Sequence, residues 1–132
     1  MIGVDTNVLV RVFVPDAPGQ TSKALSFLAE RTPEDPVYVS TVVAVELAWV
    51  LRRSYAFSPP AIIIALESLL ESENAVVERA VLIGDAVERM RNERIDLADY
   101  LISAIAREAG AAATLTFDRD AAKRVPGMEL LK

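Results

Sequence analysis

At 132 residues, 52% of them hydrophobic, the chain has the commonest single-domain length and enough apolar mass for a sizeable core. It contains no cysteine and no histidine, which excludes disulfide frameworks, zinc–thiolate sites, serine–histidine triads and catalysis by a histidine pair. A formal net charge of −5 argues against electropositive coating of nucleic acid, yet leaves room for acids gathered in one site.

Met1–Val4 is expected to form a first strand that stops at Asp5, with a short helix over Thr6–Phe13 broken by Pro15 and Pro18. This opening segment has no basic leader and is interrupted by Asp5 and Arg11, so no signal peptide is expected. No apolar run approaches the ~20 residues of a membrane span, and a cytoplasmic location without membrane attachment is expected. Thr21–Arg31 is amphipathic. Pro36 opens a second strand, Val37–Val39, closed by Ser40 or Thr41 as the N-cap of a helix running through Glu46 to about Tyr55. Ser58-Pro59-Pro60 is a strong helix start, and the helix that follows carries Ile62, Ile63, Ile64, Leu66, Leu69 and Leu70.

Ala75–Val77 is a third short strand, Gly84–Glu93 lies on an amphipathic helix, and Asp96 opens a helix over Leu97–Ala109 that Gly110 stops. Ala112–Phe117 is a fourth strand ended by Asp118. A short helix, Arg119–Arg124, and a last strand near Met128–Leu130 complete the chain. Strands alternating with helices predict an α/β fold with a parallel sheet, in a single domain spanning residues 1–132.

Two strands thus end in aspartates at their carboxyl edge, where open α/β sheets bind ligands. Strand alternation puts Thr114, Thr116 and Asp118 on one side, so Thr116 is a candidate hydrogen-bond partner of that carboxylate. Asp5 and Asp118 are also favoured N-caps, and Asp96 with Asp99 resembles a capping box. Asp99 precedes Leu101, Ile102 and Ile105, which predicts that its turn faces the sheet. Glu46 is the lone charge in TVVAVELAWVL, so burial there would demand a cation or a shared proton.

Oxygen-only ligands select hard cations, Mg²⁺ or Mn²⁺, and four converging carboxylates repel one another unless such a cation intervenes. The chemistry that uses such a centre is in-line phosphodiester hydrolysis by metal-activated water, with Glu46 or Asp118 accepting the proton. Arg11, Arg119, Lys123 and Arg124 flank the acids as candidate phosphate contacts. Arg89, Arg91 and Arg94, interleaved with Glu88 and Glu93, are expected to be a solvated helix face. No basic stripe interleaved with aromatics is present, so RNA would be recognised through shape and backbone.

Four segments, IGVDTNVLV, STVVAVELAWVL, IDLADYLISAIA and TLTFDRD, occur in order across essentially the whole chain. Together they resemble PIN-domain ribonucleases, specifically the VapC-type toxins of type II toxin–antitoxin systems. The resemblance implies a three-layer α/β/α sandwich with a central parallel sheet and a Mg²⁺-dependent endoribonuclease, with structured RNA such as transfer RNA a suitable substrate. It implies catalytic and metal-binding acids at Asp5, Glu46, Asp99 and Asp118, of which Asp5 and Asp99 match the usual magnesium pair. Asn7 matches a residue orienting the first aspartate, Thr116 a supporting hydroxyl, and Asp96 an additional acid. For the fourth acid, TFD and strand alternation favour Asp118 over Asp120.

The resemblance further implies a VapB-like antitoxin and a homodimer, for which the isoleucine-rich Pro59–Leu70 helix offers compatible surface; burial on two sides within the domain accounts for it equally. Two other classes compete. An aspartyl-phosphate phosphatase or phosphoacceptor would use Asp5 as nucleophile, but Asn7 stands where such enzymes want a second acid, and no lysine lies near a later strand end. A catalytically silent RNA- or protein-binding module would have no use for Glu46 in an apolar helix.

Overall fold

The computed structural model describes all 132 residues as seven helices and five short strands. The chain divides into two compact units, Met1–Val81 and Leu82–Lys132.

In the first unit, β1 (Ile2–Gly3), β2 (Val37–Val39) and β3 (Ala75–Val77) form a parallel sheet in that order. Ile2 is opposite Val37, Val37 opposite Ala75, and Val39 opposite Val77. Parallel neighbours need long crossovers. Helices α1 (Thr6–Phe13) and α2 (Pro18–Ala29) supply the first, and α3 (Thr41–Tyr55) and α4 (Pro59–Glu71) the second. Val37 and Val39 are buried, and with Leu9, Leu47, Leu51 and Leu66 they form the heart of the unit.

Local chemistry sets the helix limits. Ser40 Oγ accepts from the Val43 N–H at 3.2 Å to start α3, and Ala56, in the left-handed region at φ 54°, ends it. Ser58 Oγ accepts from the Ala61 N–H at 3.3 Å, and Pro59 and Pro60 need no hydrogen-bonded N–H in the first turn of α4. On α4, Ile62 and Ile63 are buried while Ile64 is 68% exposed, so one of the three isoleucines faces outward.

The second unit contains most of α5 (Ala80–Glu93), then α6 (Leu97–Glu108), β4 (Thr114–Thr116), α7 (Arg119–Arg124) and β5 (Met128–Leu130). Strand β4 pairs parallel with β5, Thr114 opposite Met128 and Thr116 opposite Leu130. Ile95, Ala121, Val125 and Met128 form a buried cluster against which Tyr100 packs. Ser103, 2% exposed, donates from Oγ to the Pro126 carbonyl at 2.6 Å. This bond ties α6 to the turn before β5, whose Gly127 has φ 87°.

The α/β class expected from the alternating elements is the one adopted, with every strand pair parallel. Two helix starts differ from the expectation. Helix α2 begins at Pro18, not Thr21, because proline suits the first helical position as well as it breaks a preceding one. Helix α5 begins at Ala80, ahead of Gly84, which lies inside it.

Candidate functional site

In the first unit, Asp5 stands two residues past the end of β1 and caps α1, its exposed carboxylate accepting from the Thr6 N–H through Oδ1 at 2.8 Å. The cap uses one oxygen and leaves Oδ2 for another ligand. Asn7 is exposed in the first turn, whereas the hydrogen bond holding Asp5 comes from Thr6. Thr6 itself is 3% exposed, and its hydroxyl has no partner.

Glu46 requires a correction. It is exposed, not buried among apolar side chains. The inward stripe of α3 is Ala44, Leu47, Ala48 and Leu51, the i, i+3, i+4, i+7 spacing of one helical face, and residue 46 falls off it. Its neighbours at helical spacing, Val42 and Trp49, are 75% and 58% exposed, and the Arg53 guanidinium lies over the Trp49 ring at 5.7 Å. Open to water, this carboxylate needs neither a cation nor a shared proton to offset burial. What remains is a carboxylate on an outward face with two unusually exposed apolar neighbours.

The second unit brings three acids into electrostatic range of one another. Asp96 caps α6 through Oδ2, which accepts from the Asp99 N–H at 3.3 Å. Asp118 caps α7 through Oδ1, which accepts from the Ala121 N–H at 3.0 Å. Partial burial pushes the Asp99 carboxyl above the usual value of 3.8, and the charges of Asp96 and Asp118 push it the same way. The expected inward turn around Asp99 is only half right: Leu101 is buried, but Ile102 and Ile105 are 54% and 37% exposed. Thr116 also acts differently from the expectation. Its Oγ1 accepts from the Asp118 N–H at 3.0 Å and so positions the backbone, not the carboxylate.

Asp118 and Asp120 have different partners. The Asp120 carboxylate accepts from Arg124 Nε at 2.8 Å as an ion pair one turn along α7, whereas the Asp118 charge acts on Asp99. The structure gathers no three acids at metal-holding distance, so the expected convergence of four carboxylates is not present as a preformed cluster. Each unit supplies two of the four acids singled out from the sequence, Asp5 and Glu46 from the first, Asp99 and Asp118 from the second.

Among the cations, Arg11 pairs with Asp16 at 2.7 Å, and its Nε is buried without a partner. Arg119 is exposed. Arg89 pairs with Glu93 at 3.0 Å and Arg91 with Glu88, the solvated ion-pair face expected for that helix. One supporting residue escaped sequence reasoning. Glu78, just past β3, accepts from the Thr41 N–H at 2.8 Å through Oε1 and also bonds the Tyr38 hydroxyl. These bonds hold its carboxyl below the usual 4.5, while partial burial and the Glu78 charge raise the Tyr38 phenol. Nothing in the sequence pairs residues so far apart.

Among protein-family models, one described as the PIN domain matches residues 2–127, a span that runs through both units. A search of the curated proteins finds no match.

Proposed function

The chain belongs to the PIN-domain family, a nuclease family, and from that premise we propose that it is a Mg²⁺- or Mn²⁺-dependent endoribonuclease. The observation that carries the reading is the PIN-domain match over residues 2–127, and Asp99 stands beside Asp96 and Asp118 as a carboxylate whose charged form is opposed by burial and by their charges. Structural acids are more often arranged to lower a carboxyl pKa through a cationic partner. An anion held against its own repulsion is suited to a divalent cation. The donor set, oxygen only, in a chain without cysteine or histidine, fits a hard metal.

Such a metal, when bound, supplies Lewis acidity toward the phosphodiester and lowers the pKa of water. The remaining roles fall to the chain's own residues. Asp5 and Asp99, the pair that the resemblance matches to the usual magnesium ligands, would hold the cation, Asp5 being fixed in orientation by the Thr6 N–H on Oδ1. Asp118 is fixed likewise by the Ala121 N–H on Oδ1, so Oδ2 is the atom that would take the proton of the attacking water. Glu46, open to solvent, is the other candidate base and can return its proton to bulk water directly. Asn7, Thr116 and Asp96 support the set, and Arg11 and Arg119 contact substrate phosphates.

The finer reading is that of a VapC-type toxin, held inactive by a VapB-like antitoxin and acting as a homodimer on structured RNA such as transfer RNA. It rests on the four matching sequence segments. The outward Ile64 of α4 and the exposed Val42 and Trp49 of α3 are apolar surface of the kind a protein partner covers. No helix is long and apolar enough to cross a membrane.

The test is digestion of total RNA with Mg²⁺ or with chelator, comparing wild type with Asp5→Ala. Metal-dependent cleavage of few species, lost in the variant, is the expected result. Uniform degradation that survives both chelation and the substitution overturns the reading.

A further inference from the structure

Helix α7 and strand β5 border an open groove of about 550 Å³ that the four acids do not account for. Three cations line it, Arg119 and Lys123 from α7 and Lys132 beyond β5, together with Glu129 and an apolar strip of Met128 and Leu130. In a chain of net charge −5, this is a local excess of positive charge. The fourth cation of the segment is committed elsewhere. Arg124 pairs with Asp120 at 2.8 Å and donates to the Glu93 carbonyl at 3.3 Å. Arg119 and Lys123 are both exposed and stand four residues apart on one helix face, which puts their Cβ atoms roughly 5–6 Å apart.

We propose that this groove is a phosphate-backbone subsite, in which Arg119, Lys123 and Lys132 hold the RNA strand on the flank of the phosphodiester attacked beside Asp118. Arg119 is the residue immediately after Asp118, the N-cap of the same helix, so a strand held along α7 is led toward that carboxylate. Spaced cations match a chain of single negative charges. The partly exposed Leu130 offers an apolar surface for the face of a base without selecting among bases, and no aromatic ring lines the groove. An acidic peptide is the other polyanion these cations could hold, and it is an outcome of the test below. The inference rests on the nuclease reading for its direction, but its binding step is independent of cleavage.

The test is fluorescence anisotropy with a labelled 12-nucleotide oligouridylate, in EDTA so that no metal-dependent cleavage occurs, at several NaCl concentrations. The proteins are wild type, Arg119→Glu/Lys123→Glu, and Arg89→Glu as a control on the paired face of α5, each checked for an unchanged melting curve. Two lost phosphate contacts should weaken binding at least tenfold and reduce the slope of log K against log salt by about 1.4, at ~0.7 per phosphate on a single strand. Arg89→Glu should change affinity less than about twofold, since rim charges away from a contact matter little. Unchanged affinity and slope in the double variant overturn the proposal, as does binding of labelled polyglutamate in the groove with no binding of the oligouridylate. Loss of cleavage in Asp5→Ala alongside an unaltered double variant would sink the groove and leave the nuclease standing. Groove-dependent binding by a protein that cleaves no RNA would do the reverse.

Discussion

The Glu78 carboxylate accepts a hydrogen bond from the Thr41 N–H at 2.8 Å, joining the end of β3 to the first turn of the helix that carries Glu46. Ser40 serves the Val43 N–H of the same turn, so two of the orphan donors at this helix start are satisfied by residues that follow different strands, β2 and β3. The carboxylate also sits where the helix dipole favours negative charge. Its folded-state pKa is lowered below 4.5, so its contribution to stability is present above that value and lost as pH falls through the lowered one. Urea unfolding of wild type and Glu78→Gln should therefore differ most near pH 7 and converge in acid. A gap that stays constant from pH 7 to pH 3 would show that the charge plays no part.

Asp99 gives the opposite sign. Its pKa is raised above 3.8, so the folded state binds the proton more tightly than the unfolded chain does, and stability falls as pH rises from 3.8 through the folded value. In EDTA, the stability of Asp99→Asn relative to wild type should improve across that window. Because the side chain is only partly buried, the gain is expected to be no more than about 1 kcal/mol. The same variant should cleave no RNA in Mg²⁺. Stability that tracks wild type at every pH would mean that Asp99 carries no electrostatic penalty for a cation to relieve.

Much of the fold was legible because its limits are set by local chemistry. Ser40, Ser58 with Pro59, and Asp96 each announce a helix start from side-chain capping alone, and Val37–Val39 and Ala75–Val77 stand out as isolated β-branched runs. The ion pair of Asp120 with Arg124 is visible in the sequence as well, as an i, i+4 spacing along α7. The exposure of Glu46 was not legible. TVVAVELAWVL is apolar on nearly every face, so no contrast marks the inward side, and half of the true stripe is alanine, small enough to be overlooked as core. Glu78 was hidden for a different reason. Its bond to Thr41 spans 37 residues and exists only because β2 and β3 pair with Val39 opposite Val77.

Gly127→Ala should destabilise the second unit without touching any acid. The glycine has φ 87°, which side-chain-bearing residues adopt at a cost, and an added Cβ would lie 2.6 Å from both Ser103 Oγ and Arg107 Nη2. Arg107 can swing away; Ser103 cannot, being 2% exposed and bonded to the Pro126 carbonyl. Backbone strain and the displaced hydroxyl together are expected to cost about 2–3 kcal/mol in chemical denaturation. Ser103→Ala in the same background should recover part of that loss by removing the obstructing oxygen. No recovery would place the cost in the backbone alone.

Glu46→Gln separates function from stability most cleanly. An exposed carboxylate off the buried stripe of α3 contributes little to folding, so the variant should unfold within about 0.5 kcal/mol of wild type. Removing a group that holds the cation or accepts the water's proton should cost roughly 10²-fold or more in RNA cleavage. Both halves are needed. Glu46→Gln with normal cleavage would remove this acid from the catalytic set, and with it the role for a charge on an outward helix face beside Val42 and Trp49. A large loss of stability instead would show that the helix depends on the charge through a partner and would reopen a structural role.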